Sequence, residues 1–248
     1  MKKSTKILLT VILLLVLGSC ACSVSGYTYK NSGRYTAGNT TVNGKVKTID
    51  ISWIDGQVNI GLHDGDGVIV KETTGKTLDK EERLHWYLKD GTLYIKYAKS
   101  GFRSTKSLDK KLTVLLPEDL ALTRLTIGAV SAKTTVTDVA AGKLEIDTVS
   151  GGAKLQLCRA DSVEINSVSG AVSIQTDDVP DRITVDTVSG GVTLRLPGDA
   201  GFEAAVDSVS GDIDGEGYTV KGKKYVAGDR KCTVQVDTVS GNIHLYAE

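Results

Sequence analysis

Leu144-Glu-Ile-Asp-Thr-Val-Ser-Gly151 is followed by Val163-Glu-Ile-Asn-Ser-Val-Ser-Gly170, Ile183-Thr-Val-Asp-Thr-Val-Ser-Gly190, Ala204-Ala-Val-Asp-Ser-Val-Ser-Gly211 and Val234-Gln-Val-Asp-Thr-Val-Ser-Gly241. A degenerate copy, Val130-Ser131-Ala132, precedes them, and successive serines lie 19, 19, 20, 21 and 30 residues apart. Self-similarity at a period near 20 is the signature of a stacked repeat. Apolar and polar residues alternate within each copy, as in Leu144 and Ile146, Val163 and Ile165, Ile183 and Val185, or Val234 and Val236. This alternation predicts strands with one buried face. Thr148, Ser167, Thr187, Ser208 and Thr238 continue that face.

A second short strand follows each glycine: Ala153-Leu155-Leu157, Val172-Ile174, Val192-Leu194-Leu196, Ile213 and Ile243-Leu245. Five residues separate Thr148 from Ala153, so a straight strand would turn the two to opposite faces. The chain must therefore bend. The pairs Ser150 and Gly151, Ser169 and Gly170, Ser189 and Gly190, Ser210 and Gly211, and Ser240 and Gly241 are expected at structural corners. Glycine is expected there for its access to backbone angles closed to other residues. No coil buries its apolar face alone, so coils must stack. The expected fold is all-β: a single-domain β-solenoid, a right-handed parallel β-helix-like stack of coils of about 20 residues, with a divergent N-terminal β region. With 27 glycines, many β-branched residues and no long helical stripe, composition agrees.

Lys2, Lys3 and Lys6 open a leader whose apolar run, Ile7 to Leu17, is too short to span a bilayer well. Leu17-Gly18-Ser19-Cys20 resembles the bacterial lipobox, in which the cysteine receives a diacylglyceryl group. That resemblance implies a lipoprotein signal at residues 1–19 and lipidation at Cys20, with acyl chains holding the chain at a membrane surface. Cys22 is a poorer acceptor because Ser19 replaces the usual Leu; a plainly cleaved signal or an uncleaved anchor are the competing readings. Residues 20–44, rich in Ser, Gly, Asn, Thr and Tyr, read as a flexible tether, and residues 45–248 as the solenoid domain. Without the three leader lysines, 27 basic residues face 30 acidic ones, which argues against nucleic acid as a partner. Stacked in chain order, Cys158 and Cys232 fall three rungs apart, roughly 14 Å at ~4.8 Å per rung, too far for a disulfide.

Val46 to Ile60 reads as a divergent first repeat with Gly56 at its corner and Trp53 as a cap over the first rung. Lys89-Asp90-Gly91-Thr92 signals a hairpin, Ser100 to Lys111 a polar loop, and Leu112 to Pro117 a strand. The long interval before Ser240 places an extra loop or hairpin at about Gly215 to Asp229.

Ile51-Ser-Trp-Ile-Asp-Gly-Gln-Val-Asn-Ile60, Lys89-Asp-Gly-Thr-Leu-Tyr-Ile95, Leu112-Thr-Val-Leu-Leu-Pro117 and the repeated Thr-Val-Ser-Gly resemble the DUF4097 family, labelled "putative adhesin", over about residues 45–248. The resemblance implies a β-helix-like fold on the bacterial cell envelope, sometimes tied to envelope-stress systems. It carries no catalytic residues and no cofactor.

Repeated identical serines cannot all be nucleophiles, none lies in Gly-x-Ser-x-Gly, and His63, His85 and His244 lack ligand spacing. Asp147, Asn166, Asp186, Asp207 and Asp237 form an outward column in which solvated or backbone-bonded side chains compete with a bridging cation such as Ca²⁺. Tyr87, Tyr94, Tyr97 and Trp86 read as sheet and cap packing before a sugar platform. The expected role is a non-catalytic, lipid-anchored, extracytoplasmic scaffold binding an envelope protein or polysaccharide. The alternatives are an accessory of an envelope-stress sensor and a polysaccharide-active enzyme, which would need an acidic or basic cluster in a groove. A specific site is expected in the Gly215–Asp229 insertion or the Trp86 hairpin before the serines.

Overall fold

The computed structural model describes residues 28–103, 107–199, 201–222, 224–229 and 232–247. The expected leader and the candidate lipid acceptors Cys20 and Cys22 lie outside them. Among the described residues two long sheets, of 12 and 10 strands, face each other across one core. Each coil gives one strand to each sheet. Ala140–Thr148 lies in the first sheet and Ala153–Gln156 in the second; Arg159–Ser167 and Val172–Gln175 come next, then Arg182–Thr187 and Val192–Leu196. All pair in parallel and in register, so Ile146 stacks on Ile165 and Ile165 on Val185. The expected solenoid-like stack is what forms. Leu144, Ile146, Ile165, Ile183 and Val185 are buried, each contributing about 1.5–3 kcal/mol. The second strand of the first full coil ends at Gln156; Leu157, expected to continue its apolar set, is 42% exposed with φ 52° at a bend.

The corner is built as its parity requires, but glycine is there for a different reason. Thr148 points inward; its hydroxyl accepts the Gly151 N–H at 3.2 Å and donates to the Gly151 carbonyl at 3.0 Å. Ser167 does the same for Gly170, and Thr187 accepts the Gly190 N–H. None of the five corner glycines has positive φ among the described residues. The constraint is close approach. A Cβ on Gly151 would sit 1.9 Å from the Ala132 carbonyl oxygen, one on Gly170 1.9 Å from that of Gly151, and one on Gly190 2.1 Å from that of Gly170. Each glycine thus lets its coil settle onto the backbone of the coil before it.

The rungs do not follow chain order. Cys232–Thr238 pairs with Arg182–Thr187 on one side and Phe202–Ser208 on the other. Its companion Ile243–Ala247 lies between Val192–Leu196 and Ile213–Glu216. The last coil in sequence is therefore the penultimate coil in space, and the Ser210 coil ends the stack. This corrects the spacing of the cysteines: Cys158 and Cys232 are two rungs apart, roughly 10 Å at ~4.8 Å per rung. Both are buried free thiols, and burial pushes Cys232 up to about 12.

Two hairpin systems close the ends. The insertion at residues 215–229 contains Thr219–Lys221 and Lys224–Ala227, antiparallel to each other, with the second strand pairing onto Phe202–Ser208. Tyr218 and Tyr225 meet edge to face at 5.1 Å and pack on the core. The insertion is thus an end cap. At the other end, Trp53 is not the expected cap. His85–Lys89 and Thr92–Lys96 lie beyond its strand, and Trp53 is 1% exposed. That hairpin turns through Asp90 and Gly91, both at positive φ, as the Asp-Gly signal requires. The segment expected as tether also belongs to the fold from Tyr29 onward. Thr36–Ala37 pairs with His85 and Trp86, Thr40–Val42 pairs with Val68–Val70, and the Tyr29 hydroxyl bonds the Ala98 carbonyl at 3.1 Å.

Gly170→Ala should cost about 3 kcal/mol because rigid backbone, not a flexible side chain, opposes the added methyl. Gly128→Ala is the control: its Cβ would meet nothing nearer than the Ile51 carbonyl at 3.8 Å, so a change within about 0.5 kcal/mol is expected. Urea unfolding of the two variants checks both values.

Candidate functional site

Alternation sends every second residue of the first sheet outward, so the repeat writes columns on that face. Asp147, Asn166, Asp186, Asp237 and Asp207 stand in register on neighbouring strands, in that spatial order. The predicted acidic column exists, with Asp237 moved inside Asp207. Two residues upstream, Glu145 and Glu164 pair in the next column. Lys143 answers them, 2.7 Å from Glu164 and 3.5 Å from Glu145, and Arg124 lies 3.6 Å from Glu145.

The aspartates differ in their partners. Asp147 accepts the Asn166 amide at 2.8 Å, and partial burial still raises its carboxyl above the ordinary range. Asp237 accepts the Gln235 amide at 2.7 Å. Asp186, between Asn166 and Asp237, has a buried Oδ1 with no hydrogen-bond partner. Burial first, then the charges of Asp237 and Glu164, lift it from 3.8 to about 6. Among the described residues no three acidic, histidine or cysteine side chains converge in a way that could hold a metal ion, so the geometry lends the cation reading no support.

The corner continues the columns. Val149, Val168, Val188, Val239 and Val209 follow one another through backbone bonds such as Ser169 N–H to Val149 O at 2.8 Å, with Val130 and Ile54 before them. These side chains are partly exposed, and Val209 is 61% exposed. The repeat serines are exposed beside them. Ser150 and Ser169 donate to the carbonyls of Val130 and Val149 in the preceding coil, which is a structural use of the hydroxyl.

A cleft of about 240 Å³ opens in this face where Gly128 takes the place of a column side chain. Asp50, Ser52 and Lys96 form one wall, Asp147 the other, and Ile54 and Val149 the corner end. Lys96 is 2.7 Å from Asp50 and donates to the Ser52 hydroxyl at 2.8 Å. Beyond them lies an aromatic strip, Tyr94 stacked 6.5 Å from Tyr87, Tyr87 5.4 Å from Tyr35, and Tyr35 4.7 Å from Tyr29. The N-terminal segment thus covers much of the Tyr87–Tyr94 surface. Trp86 packs against the core and Tyr97 is 2% exposed, in keeping with packing. The Trp86 hairpin gives the cleft Lys96, the last residue of its second strand, whereas the insertion contributes none of the lining.

Sequence reading missed Lys110, which sits in a stretch expected to be a polar loop. Its side chain is fully buried, 2.8 Å from Glu72 and over the rings of Trp53 at 5.1 Å and Tyr97 at 4.2 Å. Its ammonium donates to the carbonyls of Glu82, at 2.6 Å, and Tyr97. Glu72 accepts the Leu84 N–H at 2.7 Å on its other oxygen, while the oxygen facing Lys110 is held by charge, outside hydrogen-bond angles. Desolvation lowers the lysine, opposed by Glu72. Two carbonyl acceptors and one carboxylate in ion-pair contact surround the ammonium and make this a closed structural knot. His63 and His85 are likewise spent on local carbonyls, and His244 pairs with Asp214.

Lys110→Met should cost about 3–5 kcal/mol by stranding the buried Glu72 carboxylate, whereas Lys110→Met with Glu72→Leu should recover most of it. Denaturant midpoints of both variants measure this. Asp186 gives a pH signature. Its folded value lies above 3.8, so its stabilising contribution is complete below pH 3.8 and lost as pH rises through about 6. Asp186→Asn should therefore raise stability at pH 7.5 by about 1 kcal/mol, discounted for solvent screening, and add nothing at pH 4. Thermal melts at the two pH values test the difference.

The fold has counterparts among known proteins. A solved "putative cell adhesion protein" from Clostridium sporogenes superposes with a TM-score of 0.52 at 14% identity, covering 86% of this chain and all of that one. A solved "putative adhesin" from Bacteroides fragilis gives a TM-score of 0.47 at 11% identity, covering 89% of this chain and 99% of that one. Among curated proteins, none matches. The family model described as Toastrack DUF4097 matches residues 34–246, nearly the whole described fold, and the chain belongs to that family.

Proposed function

We propose that this protein is a non-catalytic binding scaffold outside the cytoplasm, held to a membrane by lipid on Cys20. The outward columns carry the reading. A solenoid repeats its surface as faithfully as its core, giving a long face of aspartates, valines and serines suited to an extended partner. Ser150 and Ser169 bond backbone carbonyls rather than a base, and the buried lysine is closed off from solvent. The adhesion label of the structural neighbour from Clostridium sporogenes supports a surface role. Among the described residues no helix is long and apolar enough to cross a membrane.

Two measurements test this reading. The native chain should sediment with membranes and show an acylated Cys20 by mass spectrometry, and Cys20→Ser should release it; an unmodified chain in the medium would remove the anchor. A photo-cross-linker at Thr184, on the outer first sheet, should trap a partner on intact cells, while one at Thr193, on the outer second sheet, should not. Equal yields at both positions, or none, would contradict a scaffold that binds through its columned face.

A further inference from the structure

The columned face pairs an apolar row with an acidic one, and its cleft is open without structural need. Gly128 is in a regular strand, lacks positive φ, and has room for a Cβ, unlike the corner glycines. Its missing side chain is what makes the cleft between Asp147 and the Asp50–Lys96 pair. The charge balance of the face is uneven. Lys143 and Arg124 are engaged by Glu145 and Glu164, and Lys96 by Asp50. Asp186 has a buried carboxylate oxygen without a hydrogen-bond partner, flanked by Asp237. Parallel to that row runs the partly exposed row of Val149, Val168, Val188, Val239 and Val209.

We propose that the aspartate and valine columns, with the Gly128 cleft at one end, form a docking groove for a partner polypeptide segment with basic residues on one side and branched apolar residues on the other, one long basic side chain entering the cleft. The claim rests on the scaffold reading and names the partner's chemistry. A cationic head in the cleft meets the Asp147 carboxylate and the Asp50 carboxylate that Lys96 already pairs, so two carboxylates against one ammonium leave a net negative charge, while its methylene stem lies on Ile54 and Val149. Cations along the aspartate row relieve the repulsion between neighbouring carboxylates. Apolar side chains cover the valine row, and its continuity along the stack favours an extended segment.

Fluorescence anisotropy with the full chain in detergent, at low salt and pH 7.5, tests this with labelled ten-residue peptides alternating Lys and Val, Glu and Val, or Lys and Ser. The Lys/Val peptide should bind at least tenfold more tightly than either control. Asp186→Asn with Asp237→Asn should weaken it at least tenfold and Gly128→Val at least fivefold, while Asp109→Asn, off the face, leaves it unchanged. Because Asp186→Asn is expected to stabilise the fold, weaker binding in that variant would not report unfolding. No preference for the Lys/Val peptide, or binding indifferent to these substitutions, overturns the proposal. So does binding of a neutral oligosaccharide that Gly128→Val abolishes while the peptides do not bind. Cross-linking from Thr184 alone, with no peptide binding, would leave the scaffold standing and refute the basic partner.

Discussion

A carbonyl oxygen pressed against a glycine Cα is the contact on which the fold depends. At every repeated corner the backbone of one coil sits where a Cβ of the next would have to be, within about 2 Å in three successive coils. The inward hydroxyl of Thr148, Ser167 or Thr187 fixes the glycine in that position by taking its N–H. Apolar burial drives the stack together, but this contact sets how closely its coils can approach. It also makes the coils interchangeable. The Gly241 corner seats on Gly190 and Gly211 seats on Gly241, so the last coil occupies a rung that the chain had passed over.

Surface chemistry follows from the same regularity. A strand that keeps its inward set in register must also stack its outward set, and like charges are then placed one rung apart. The chain handles this unevenly: an asparagine answers Asp147, a glutamine answers Asp237, and Asp186 is raised toward neutrality. A local electrostatic cost persists on a face that also exposes valines. In the scaffold we propose, a cationic partner would offset that cost. By contrast, the charged groups at the opposite end are spent internally, with Lys110 and Glu72 locked under Trp53 and Tyr97.

Much of this was legible in the residues. Period, alternation and the parity between Thr148 and Ala153 yielded stacked coils of two strands joined at a corner and the acidic column, and the Asp-Gly signal yielded the hairpin at Asp90-Gly91. What was hidden has physical causes. Rung order was invisible because every copy carries the same inward pattern; the small Ala204 and Gly215 in the Ser210 copy, suited to a stack end rather than a core rung, were the available hint. The reason for glycine was misplaced because sequence suggests backbone angles, whereas the structure uses absence of a Cβ. Trp53 and Lys110 were misjudged together, since each becomes buried through chain segments distant in sequence. Gly128 gave no signal at all, being one glycine among 27 in a chain rich in structural ones.

Disulfide trapping tests the stacking account most directly, because close backbone contact between specific coils fixes which serines are neighbours. Cys20 and Cys22 would be replaced by serine, the buried Cys158 and Cys232 left in place, and exposed repeat serines changed in pairs. Ser189→Cys with Ser240→Cys puts the thiols on adjacent rungs, about 4.8 Å apart along the stack, and mild oxidation should cross-link them nearly completely. Ser189→Cys with Ser210→Cys puts them two rungs apart and should not cross-link. Efficient bonding of Ser189→Cys to Ser210→Cys, with none to Ser240→Cys, would mean coils stacked in chain order and would contradict the account.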